Sequence, residues 1–576
     1  MSTALAPAQP STIGALIERS AARYPDRLAL RFGDRDWSYA ALDAAATRAA
    51  RHLLGLGLRR GDRVAAYGKN SDAFLLAWLG CCRAGMVHVP VNFNLTGADL
   101  AYILNQSGAA VVLADPALTP QLRAALGGQE QAAGPATSAA LRVVPLRDAD
   151  GSFLNAVIAG SVIAGSGAAG GSGAVGGSGA VGDSGAAGGS GSASGAGISG
   201  DSVTAGNSAA AVPALPDVAD TDLAQLLYTS GTTSLPKGAM MTHRALVHEY
   251  LSCLTALDAA ADQTMLHALP LYHSAQMHVF LMPWLAIGAR NILLEAPAAD
   301  AVFDAIENGG CDSFFAAPTV WVALTNHPGF ATRNLDGLRR AYYGASIMPG
   351  PVLERLQQRL PGLGVYNCFG QSEIGPLATV LRPEEHADRP ASAGRPVLFV
   401  QARCVDENGD DVPAGTPGEV VYRSPQLLTG YWGNPEATAD AFSGGWFHSG
   451  DLAVRDGQGY YTIVDRIKDV INTGGVLVAS REVEDALYTH PAVGEVAVIG
   501  VPDEKWIEAI VAIVVPRPGP DGGSAGSVTV EELIAHAKSR LSGFKVPKAV
   551  RLVDELPRNA SGKLLKRVLR DEFRAG

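Results

Sequence analysis

At 576 residues the chain is too long for one hydrophobic core, because single cores stop growing at roughly 250–300 residues, so several subdomains are expected. A formal net charge of −11 argues against a general surface for nucleic acids or anionic membranes, while 47% hydrophobic and 18% charged residues exclude disorder of the whole chain. Small molecules are therefore the expected partners, and this charge is still compatible with a local basic patch for a polyphosphate.

The cysteines and the N-terminal segment predict the cellular setting. Six scattered cysteines form no CxxC pair, which favours a reducing cytoplasm over a disulfide framework or a zinc site. The N-terminal segment lacks the basic-then-apolar order of a signal peptide and predicts a short lead into an amphipathic helix. Apolar stretches at 154–165 and 279–289 are shorter than the ~20 residues of a membrane span, so at most peripheral membrane contact is expected.

Alternating strand-like and helix-like segments between residues 61 and 116 predict βαβ units and hence an α/β sheet. Residues 160–210 form a Gly/Ser/Ala run with imperfect GGSGAV repeats, too poor in large apolar side chains to offset chain entropy. We interpret this run as a flexible insertion. A passive surface loop is favoured over a functional element, because long flexible loops add little closure entropy.

Ordered sequence resumes at residue 222, and strand and helix patterns alternate to about residue 380. Shorter strands with Gly/Pro turns between 393 and 463 predict a β-rich subdomain. A compact pattern of helices and strands then fills the last ~110 residues, a size that folds alone. The predicted fold is therefore multi-subdomain α/β. Its N-terminal domain, residues 1–467, holds two α/β sheet subdomains and the β-rich subdomain, and a small α+β C-terminal domain spans 468–576.

The strongest chemical signal is LYTSGTTSLPKG at 227–238, where a strand runs into a loop rich in hydroxyls and glycine. Hydroxyl donors, a glycine that lets backbone N–H groups approach and a lysine that adds positive charge suit a polyphosphate. The segment is not GxxxxGK[ST], so it is no ordinary P-loop, and by itself such a loop is also typical of a generic turn. The residues predicted to contact a polyphosphate are Thr229, Ser230, Gly231, Thr232, Thr233 and Lys237.

This segment resembles the phosphate-loop signature of the adenylate-forming superfamily, which includes acyl-CoA synthetases, firefly luciferase and peptide-synthetase adenylation domains. The likeness runs from about Leu28 to Arg570 outside the insertion. In FHSGDL, KDVINTGG, ASREVE and GVPDEKWIEA it is greatest to bacterial fatty-acyl-CoA synthetases. The resemblance implies a ligase that uses ATP and Mg²⁺ to form an acyl-adenylate, transfers the acyl group to coenzyme A, and releases pyrophosphate and AMP.

FGQSE at 369–373 resembles the superfamily's aromatic–Gly–x–Thr–Glu motif. The resemblance implies that Phe369 and Gly370 lie at the adenine, that Ser372 contacts phosphate, and that Glu373 helps to hold Mg²⁺. A flat aromatic face suits a purine, and Mg²⁺ prefers oxygen ligands. By itself the run is equally typical of a helix start.

Two further motifs follow in the superfamily's order. WFHSGD at 446–451 matches W-x-x-T/S-G-D, which implies that Asp451 receives the ribose hydroxyls, and the adjoining Asp465-Arg466 pair implies that Arg466 also contacts ribose. In isolation, a turn residue and a surface ion pair would explain Asp451 and Arg466 equally well. YGAS at 343–346 matches the loop between adenine and acid; its residues Gly344, Ala345 and Ser346 are predicted to bind ATP.

PRNASGK at 557–563 resembles the superfamily's P-R/K-x-x-x-G-K motif, and Lys563 is the predicted catalytic lysine. A carboxylate must attack a phosphorus surrounded by negative oxygens, so a mobile positive charge is needed there in addition to Mg²⁺. The alternative is a basic, solvated final helix, since Lys566, Arg567 and Arg570 follow. The resemblance also implies a mobile C-terminal domain that rotates between the half-reactions about a hinge at Lys468.

The same resemblance predicts how the thiol and the acid bind. Gly474 and Gly475 are predicted to let the pantetheine arm pass, although a tight turn explains them equally well. Lys545 and Lys548 are candidates for CoA phosphates, with a solvated loop as the alternative.

For the acid, His273 matches the residue that closes the acyl pocket, beside Tyr343 and Gly344. No charged side chain in PLYHSAQMH or YGAS is placed to recognise an amino group, so we expect a fatty or other hydrophobic acid.

Two positions depart from the superfamily pattern, and two other functions stay open. Ser234 replaces a glycine of the phosphate loop, and Ile507 replaces a glycine beside Glu508. One alternative is an acyl-AMP ligase that loads a carrier protein. The other is an inactive scaffold with a disordered interaction loop, which the presence of Lys563, Glu373 and Asp451 disfavours.

Overall fold

A computed structural model describes residues 11–127, 141–159, 213–229, 235–346, 348–517, 528–558 and 564–575. The α-helices of these residues are α1 Ile13–Arg23, α2 Tyr39–Gly55, α3 Asp72–Ala84, α4 Gly97–Ser107, α5 Thr119–Leu126, α6 Phe153–Ala159, α7 His243–Ala256, α8 Met282–Ala286, α9 Ala299–Glu307, α10 Pro318–Asn326, α11 Pro328–Thr332, α12 Gly350–Arg359, α13 Pro435–Ala441, α14 Ser480–Tyr488, α15 Val530–Lys538 and α16 Lys566–Ala575. A π-helix, Ala275–Leu281, leads into α8.

The strands are β1 Leu28–Phe32, β2 Arg35–Ser38, β3 Arg63–Tyr67, β4 Val87–Val91, β5 Ala109–Ala114, β6 Arg142–Pro145, β7 Leu223–Thr229, β8 Lys237–Thr242, β9 Thr264–His267, β10 Arg290–Leu293, β11 Ser313–Phe315, β12 Arg340–Gly344, β13 Gly364–Phe369, β14 Thr379–Leu381, β15 Arg395–Pro396, β16 Gln401–Val405, β17 Pro417–Arg423, β18 Phe447–Arg455, β19 Tyr461–Arg466, β20 Ile471–Thr473, β21 Val476–Val478, β22 Val493–Asp503, β23 Ile507–Pro516 and β24 Ala549–Leu552.

Two large sheets form the first part of the chain. One has six strands in the order β6-β5-β3-β4-β7-β8, and the other has nine in the order β15-β14-β13-β12-β11-β9-β10-β1-β2. Most neighbours pair in parallel, with antiparallel strands at the edges. β3, α3, β4, α4 and β5 are the βαβ units that the sequence predicts. Their strands are apolar and buried on both faces, as helix-covered parallel strands must be.

Helix boundaries follow from local side-chain chemistry. Ser38, Ser71 and Thr242 each precede a helix, and each side-chain oxygen accepts a hydrogen bond from the backbone N–H three residues later. These bonds satisfy donors that the first helical turn leaves unpaired. Helix α3 has almost no polar face, because it lies buried within the main core.

The last third of the described chain forms two smaller sheets. β16–β19 make a four-stranded antiparallel sheet, the β-rich subdomain that the sequence predicts, and β20–β24 make a five-stranded sheet. Helices α14 and α15 pack on the five-stranded sheet around a hydrophobic core of their own, which includes Val483, Ile510 and Leu533. A separate core is what an independently folding C-terminal domain requires. The domain boundary at residue 468 stays a prediction.

Other segments of the sequence also have the expected structure. The predicted amphipathic N-terminal helix is α1, whose buried residues include Ile13 and Ile17. The predicted insertion at 160–210 lies outside the described residues. Within the described ranges, no helix is long and apolar enough to cross a membrane.

Candidate active site

The ends of three strands supply much of the predicted site. β7 ends at Thr229, β12 at Gly344 and β13 at Phe369. β12 and β13 run in parallel, with Gly344 opposite Cys368. Ligands of open α/β sheets bind beyond the carboxyl ends of parallel strands, where the connecting loops diverge. The predicted motif segments therefore begin where such a fold places ligands.

Glu373, the predicted Mg²⁺ ligand, lies against the end of the predicted phosphate loop. Its side chain is 8% exposed, and Oε1 accepts hydrogen bonds from Thr229 Oγ1 at 2.9 Å and from the Tyr431 hydroxyl at 3.3 Å. Burial, followed by the charge of Glu373, raises the pKa of Tyr431 well above its ordinary value, so the phenol stays a donor. Both partners are neutral. They orient the carboxylate and leave its negative charge available for a cation.

The loop between β7 and β8 is held at both ends. Thr229 pairs with Lys237 across the antiparallel hairpin, and Lys237 Nζ lies 5.2 Å from the centroid of the Tyr431 ring. The predicted ligands Ser230, Gly231, Thr232 and Thr233, and the departure at Ser234, lie outside the described residues. The end of β7 thus lies beside Glu373, and the contacts of residues 230–233 with phosphate stay a prediction.

The FGQSE segment is closely packed. A Cβ added to Gly370 would lie 1.9 Å from the carbonyl oxygen of Pro376, so only glycine fits there. Phe369, at the end of β13, is half-buried. Ser372 opens a short 3₁₀-helix, Ser372–Ile374, and its Oγ lies 2.7 Å from Ser274 Oγ. No motif predicted Ser274, although it directly follows His273, and its contact joins the predicted acid pocket to the predicted phosphate contact.

His273 itself lies in the turn before the π-helix. Its Nδ1 accepts a hydrogen bond from the backbone N–H of Ala275 at 3.3 Å, and the backbone N–H of His273 donates to Pro270 O at 3.1 Å. Local bonds therefore fix the ring next to Ser274. Its role in closing the acid pocket stays a prediction.

The YGAS segment turns sharply at the end of β12. A Cβ on Gly344 would lie 2.3 Å from Cys368 O, and Ala345 has a left-handed φ of 65°. Ala345 and Ser346 are exposed. Tyr343 is 2% exposed, packs in a hydrophobic core with Phe314 and Leu356, and has its hydroxyl 3.3 Å from His386 Nε2. Ala345 and Ser346, rather than the Tyr343 ring, therefore face open space.

The predicted ribose ligands are direct neighbours. Asp451 in β18 stands opposite Arg466 at the end of β19, and Arg466 Nε lies 2.8 Å from Asp451 Oδ1. Arg466 Nη1 also donates to Ser449 O at 3.0 Å. Asp451 is 4% exposed. The Arg466 side chain is 31% exposed, so the ion pair that the sequence left open as an alternative is present, and contact of either residue with ribose stays a prediction.

The chain after Arg466 contains the predicted hinge. Lys468 is exposed within a short 3₁₀-helix, Ile467–Asp469. Lys563, the predicted catalytic lysine, lies outside the described residues. On either side of it, the described residues Pro557 and Leu565 meet, because Leu565 N donates to Pro557 O at 2.8 Å.

The final helix is not simply solvated. Lys566 Nζ lies 2.8 Å from Glu484 Oε1, and Arg570 Nη2 lies 2.6 Å from Asp469 Oδ1, with both cations mostly buried. Ion pairing thus ties α16 to α14 and to the 3₁₀-helix at the predicted hinge.

Gly474 and Gly475 form the turn between β20 and β21. Their φ angles of 64° and 85° require residues that tolerate the left-handed region, and a Cβ on Gly475 would meet nothing within 4 Å. The turn interpretation is therefore correct as a description of the backbone. Beside it, Lys548 Nζ lies 4.8 Å from the Trp506 ring, while Lys545 is ion-paired with Glu482. A role of any of these residues in CoA binding stays a prediction.

Ile507 occupies a backbone position that suits glycine. Its φ is 67° and its side chain is 57% exposed, although β-branched residues strongly disfavour the left-handed region. Its neighbour Glu508 accepts a hydrogen bond from Asn472 N at 2.7 Å, and Ile507 pairs with Thr473. The departure noted in the sequence is thus a strained residue next to the Gly474–Gly475 turn.

The described residues contain no group of three or more His, Cys, Asp or Glu side chains placed to hold a metal ion. Mg²⁺ ordinarily needs no such group, because it keeps several waters and binds through one or two carboxylates together with substrate phosphates. A single oriented carboxylate, Glu373, beside the phosphate-loop hairpin fits Mg²⁺ carried by a nucleotide.

Comparison with known proteins agrees with this geometry. The sequence model of the family described as "AMP-binding enzyme" matches residues 17–432, and that of the "AMP-binding enzyme C-terminal domain" matches 482–563. A feruloyl-CoA synthase from Amycolatopsis sp is 35% identical over 97% of this chain and 99% of its own. A long-chain-fatty-acid–CoA ligase from Escherichia coli is 30% identical over 97% of this chain and 94% of its own. The crystal structure of ATP-bound MatB from Rhodopseudomonas palustris superposes with a TM-score of 0.79 over 98% of this chain and 99% of its own. The two sequences are 27% identical.

Proposed function

The chain belongs to the AMP-binding enzyme family of adenylate-forming acyl-CoA ligases, and we propose that it activates a fatty or other hydrophobic carboxylic acid as its acyl-adenylate and transfers the acyl group to coenzyme A. The observation that carries this proposal is the contact between Thr229 and Glu373. It joins the end of the phosphate loop to the predicted Mg²⁺ ligand, across a sequence separation of 144 residues.

In the first half-reaction a carboxylate oxygen of the acid attacks the α-phosphorus of ATP. The bond from this phosphorus to the bridging oxygen breaks, and pyrophosphate leaves. Mg²⁺ bound with the nucleotide would neutralise part of the phosphate charge, held by Glu373. Asp451 and Arg466 hold the ribose, Phe369 stacks on the adenine, and Ser372 donates to phosphate. Lys563 adds a positive charge between the carboxylate and the α-phosphate.

In the second half-reaction the sulfur of coenzyme A attacks the acyl carbon. The bond to the AMP oxygen breaks, AMP leaves, and the thiol proton passes to solvent. The exposed Gly474–Gly475 turn leaves room for a pantetheine arm, because a Cβ on Gly475 would meet no neighbour. We assign the hinge between the half-reactions to Lys468, with domains at 1–467 and 468–576.

The uncharged acid segments support a hydrophobic substrate. Neither PLYHSAQMH nor YGAS carries a lysine, arginine or carboxylate that would bind an amino-acid substrate. The relatives named above act on an aromatic acid and on long-chain fatty acids, so both classes belong in the test. All six cysteines are buried and unpaired, which supports a reducing cytoplasm.

The test is a two-stage assay on the full chain. Purified protein with ATP and Mg²⁺ is given ferulate, other aromatic acids, C8–C18 fatty acids and amino acids, and exchange of labelled pyrophosphate into ATP is measured. We expect exchange with at least one hydrophobic acid and none with amino acids. Adding coenzyme A to the active mixtures must then give acyl-CoA by mass.

Two variants sharpen this assay. Lys563→Ala should lower exchange by about 100-fold or more, because it removes charge where charge accumulates. Lys538→Ala, which changes an exposed lysine at the end of α15, is the matched control and should leave exchange unchanged. Full exchange in Lys563→Ala contradicts the proposal. Acylation of a carrier protein without any acyl-CoA would favour the carrier-loading alternative.

A further inference from the structure

Two buried side chains outside every motif support the turn that carries Ser372 and Glu373. We call residues 372–377 the active-site turn. Glu249 lies on α7, and Gln426 lies in the loop between β17 and α13. Both side chains are fully buried, and both contact this turn. The sequence did not single out either residue.

The contacts are made to the backbone of the turn. Gln426 Nε2 donates to Ile374 O at 2.9 Å and to Leu377 O at 2.8 Å. Glu249 Oε1 accepts from Leu377 N at 2.8 Å, and Gln426 Nε2 lies 2.5 Å from Glu249 Oε2. Together the two side chains satisfy three backbone groups on either side of Gly375. Buried backbone groups must be paired, so this geometry ties the path of the turn to the two side chains.

The supporting side chains are themselves held in place. Ser252 Oγ, one helical turn from Glu249, donates to Gln426 Oε1 at 3.0 Å, which fixes the orientation of the amide. The same loop contacts the turn again, because Leu428 N donates to Glu373 O at 2.8 Å. A Cβ on Gly375 would lie 2.9 Å from Glu249 Oε2, so the active-site turn packs against the Glu249 side chain without free space.

If Gln426 served only to fill the core, its contacts with backbone carbonyls would not all fall in the active-site turn. Among the bonds of the described residues, the two N–H groups of the Gln426 side chain face only Glu249 and the carbonyls of Ile374 and Leu377. The Glu373 carboxylate is in turn aligned with Thr229 on β7 and with Tyr431, which lies on the same loop as Gln426. A shift of the turn would therefore move the carboxylate relative to the phosphate loop.

We propose that Gln426 and Glu249 are positioning residues for adenylation: they fix the backbone of the active-site turn so that Ser372 and Glu373 meet the phosphates and Mg²⁺. This inference rests on the proposed function. Misplacing a reacting group by about 1 Å costs on the order of 100-fold in rate. Loss of the hydrogen bonds from Gln426 to the two carbonyls should therefore slow the first half-reaction far more than the second, because Mg²⁺ and pyrophosphate take part only in the first.

The test compares the half-reactions in the Gln426→Leu variant, which keeps side-chain volume and removes the donors. With an acid that the wild type activates, we expect pyrophosphate exchange to fall by about 10- to 100-fold. The Mg²⁺ concentration for half-maximal exchange should rise. Thiolysis by coenzyme A of the synthetic acyl-adenylate should stay within about threefold of wild type, because the turn acts mainly on the phosphates.

Gln263→Leu is the matched control. Gln263 is also buried, donates to Asp258 O at 2.8 Å and accepts from Trp284 Nε1 at 2.9 Å, with no bond to the active-site turn. Any loss of folded protein in this variant should lower both half-reactions by one common factor.

Glu249→Gln is a second test that does not depend on Gln426→Leu folding. Both oxygens of Glu249 can accept, the hydroxyl oxygen of the protonated acid included, whereas glutamine has one oxygen. Its amide can therefore satisfy Leu377 N or Gln426 Nε2, but not both, and exchange should fall by less than in Gln426→Leu. The positioning role is overturned if Gln426→Leu keeps wild-type exchange and Mg²⁺ dependence, or if both half-reactions fall by the same factor. Absence of exchange in the wild type with every acid would refute the proposed function itself.

Discussion

Glu249→Gln should change how stability depends on pH. Glu249 is fully buried, and burial raises the pKa of its carboxyl from an ordinary 4.5 to about 8. In the folded protein the group therefore stays protonated at neutral pH, whereas in the unfolded chain it ionises above about pH 4.5. The stability that the protonated group contributes is present in full below about pH 4.5 and is lost as pH rises towards 8.

The size of this stability change follows from how steeply the free energy of unfolding depends on pH. One pH unit inside this window changes the free energy of unfolding by about 1.4 kcal/mol per proton. Between pH 5.5 and 7.0 the unfolding free energy of the wild type should therefore fall by about 2 kcal/mol from this group. The variant should show no such fall, because glutamine does not ionise. The titratable neighbours of Glu249 are Cys253, Cys368 and Tyr250. Burial raises the pKa of each, so they remain neutral across this interval.

The assay is urea unfolding of both proteins at pH 5.5 and pH 7.0. The difference in unfolding free energy between wild type and variant should fall by about 2 kcal/mol from the lower to the higher pH. Glu384→Gln is the control, since Glu384 is 66% exposed and should show no such change. A Glu249→Gln difference that stays constant across the two pH values would refute the reasoning about burial.

Three further predictions follow from the site. Asp451→Ala should raise the KM for ATP by about 10- to 100-fold, because charge-assisted hydrogen bonds to the ribose are lost. Steady-state exchange kinetics measure this change, and Asp411→Ala, at an exposed aspartate, is the control. Gly370→Ala should abolish exchange, because its Cβ would lie 1.9 Å from Pro376 O; a folded, fully active variant would contradict this. Ile507→Gly should stabilise the protein by up to about 1 kcal/mol in urea unfolding by relieving left-handed strain, and Ile507→Ala should gain less.

Local structure and family membership can be predicted from the amino-acid sequence. Periodicity predicts the βαβ units of β3 to β5, hydroxyl caps mark the starts of helices such as α7, and the order of motifs predicts an adenylate-forming enzyme. These features depend on residues close together in the chain, so they can be recognised before folding. The same locality explains why two adjacent glycines at 474 and 475 indicate a tight turn.

Contacts between side chains that are distant in the chain depend on how the elements pack in the folded protein. Ser274 reaches Ser372 across 98 residues, Tyr431 reaches Glu373 across 58, and Gln426 reaches Glu249 across 177. No local pattern marks such pairs, because a serine, tyrosine or glutamine gains its partner only when separate elements pack together. The fold also shows that Tyr343 points into a core and that Arg466 pairs with Asp451, since burial and ion pairing depend on all the surrounding elements.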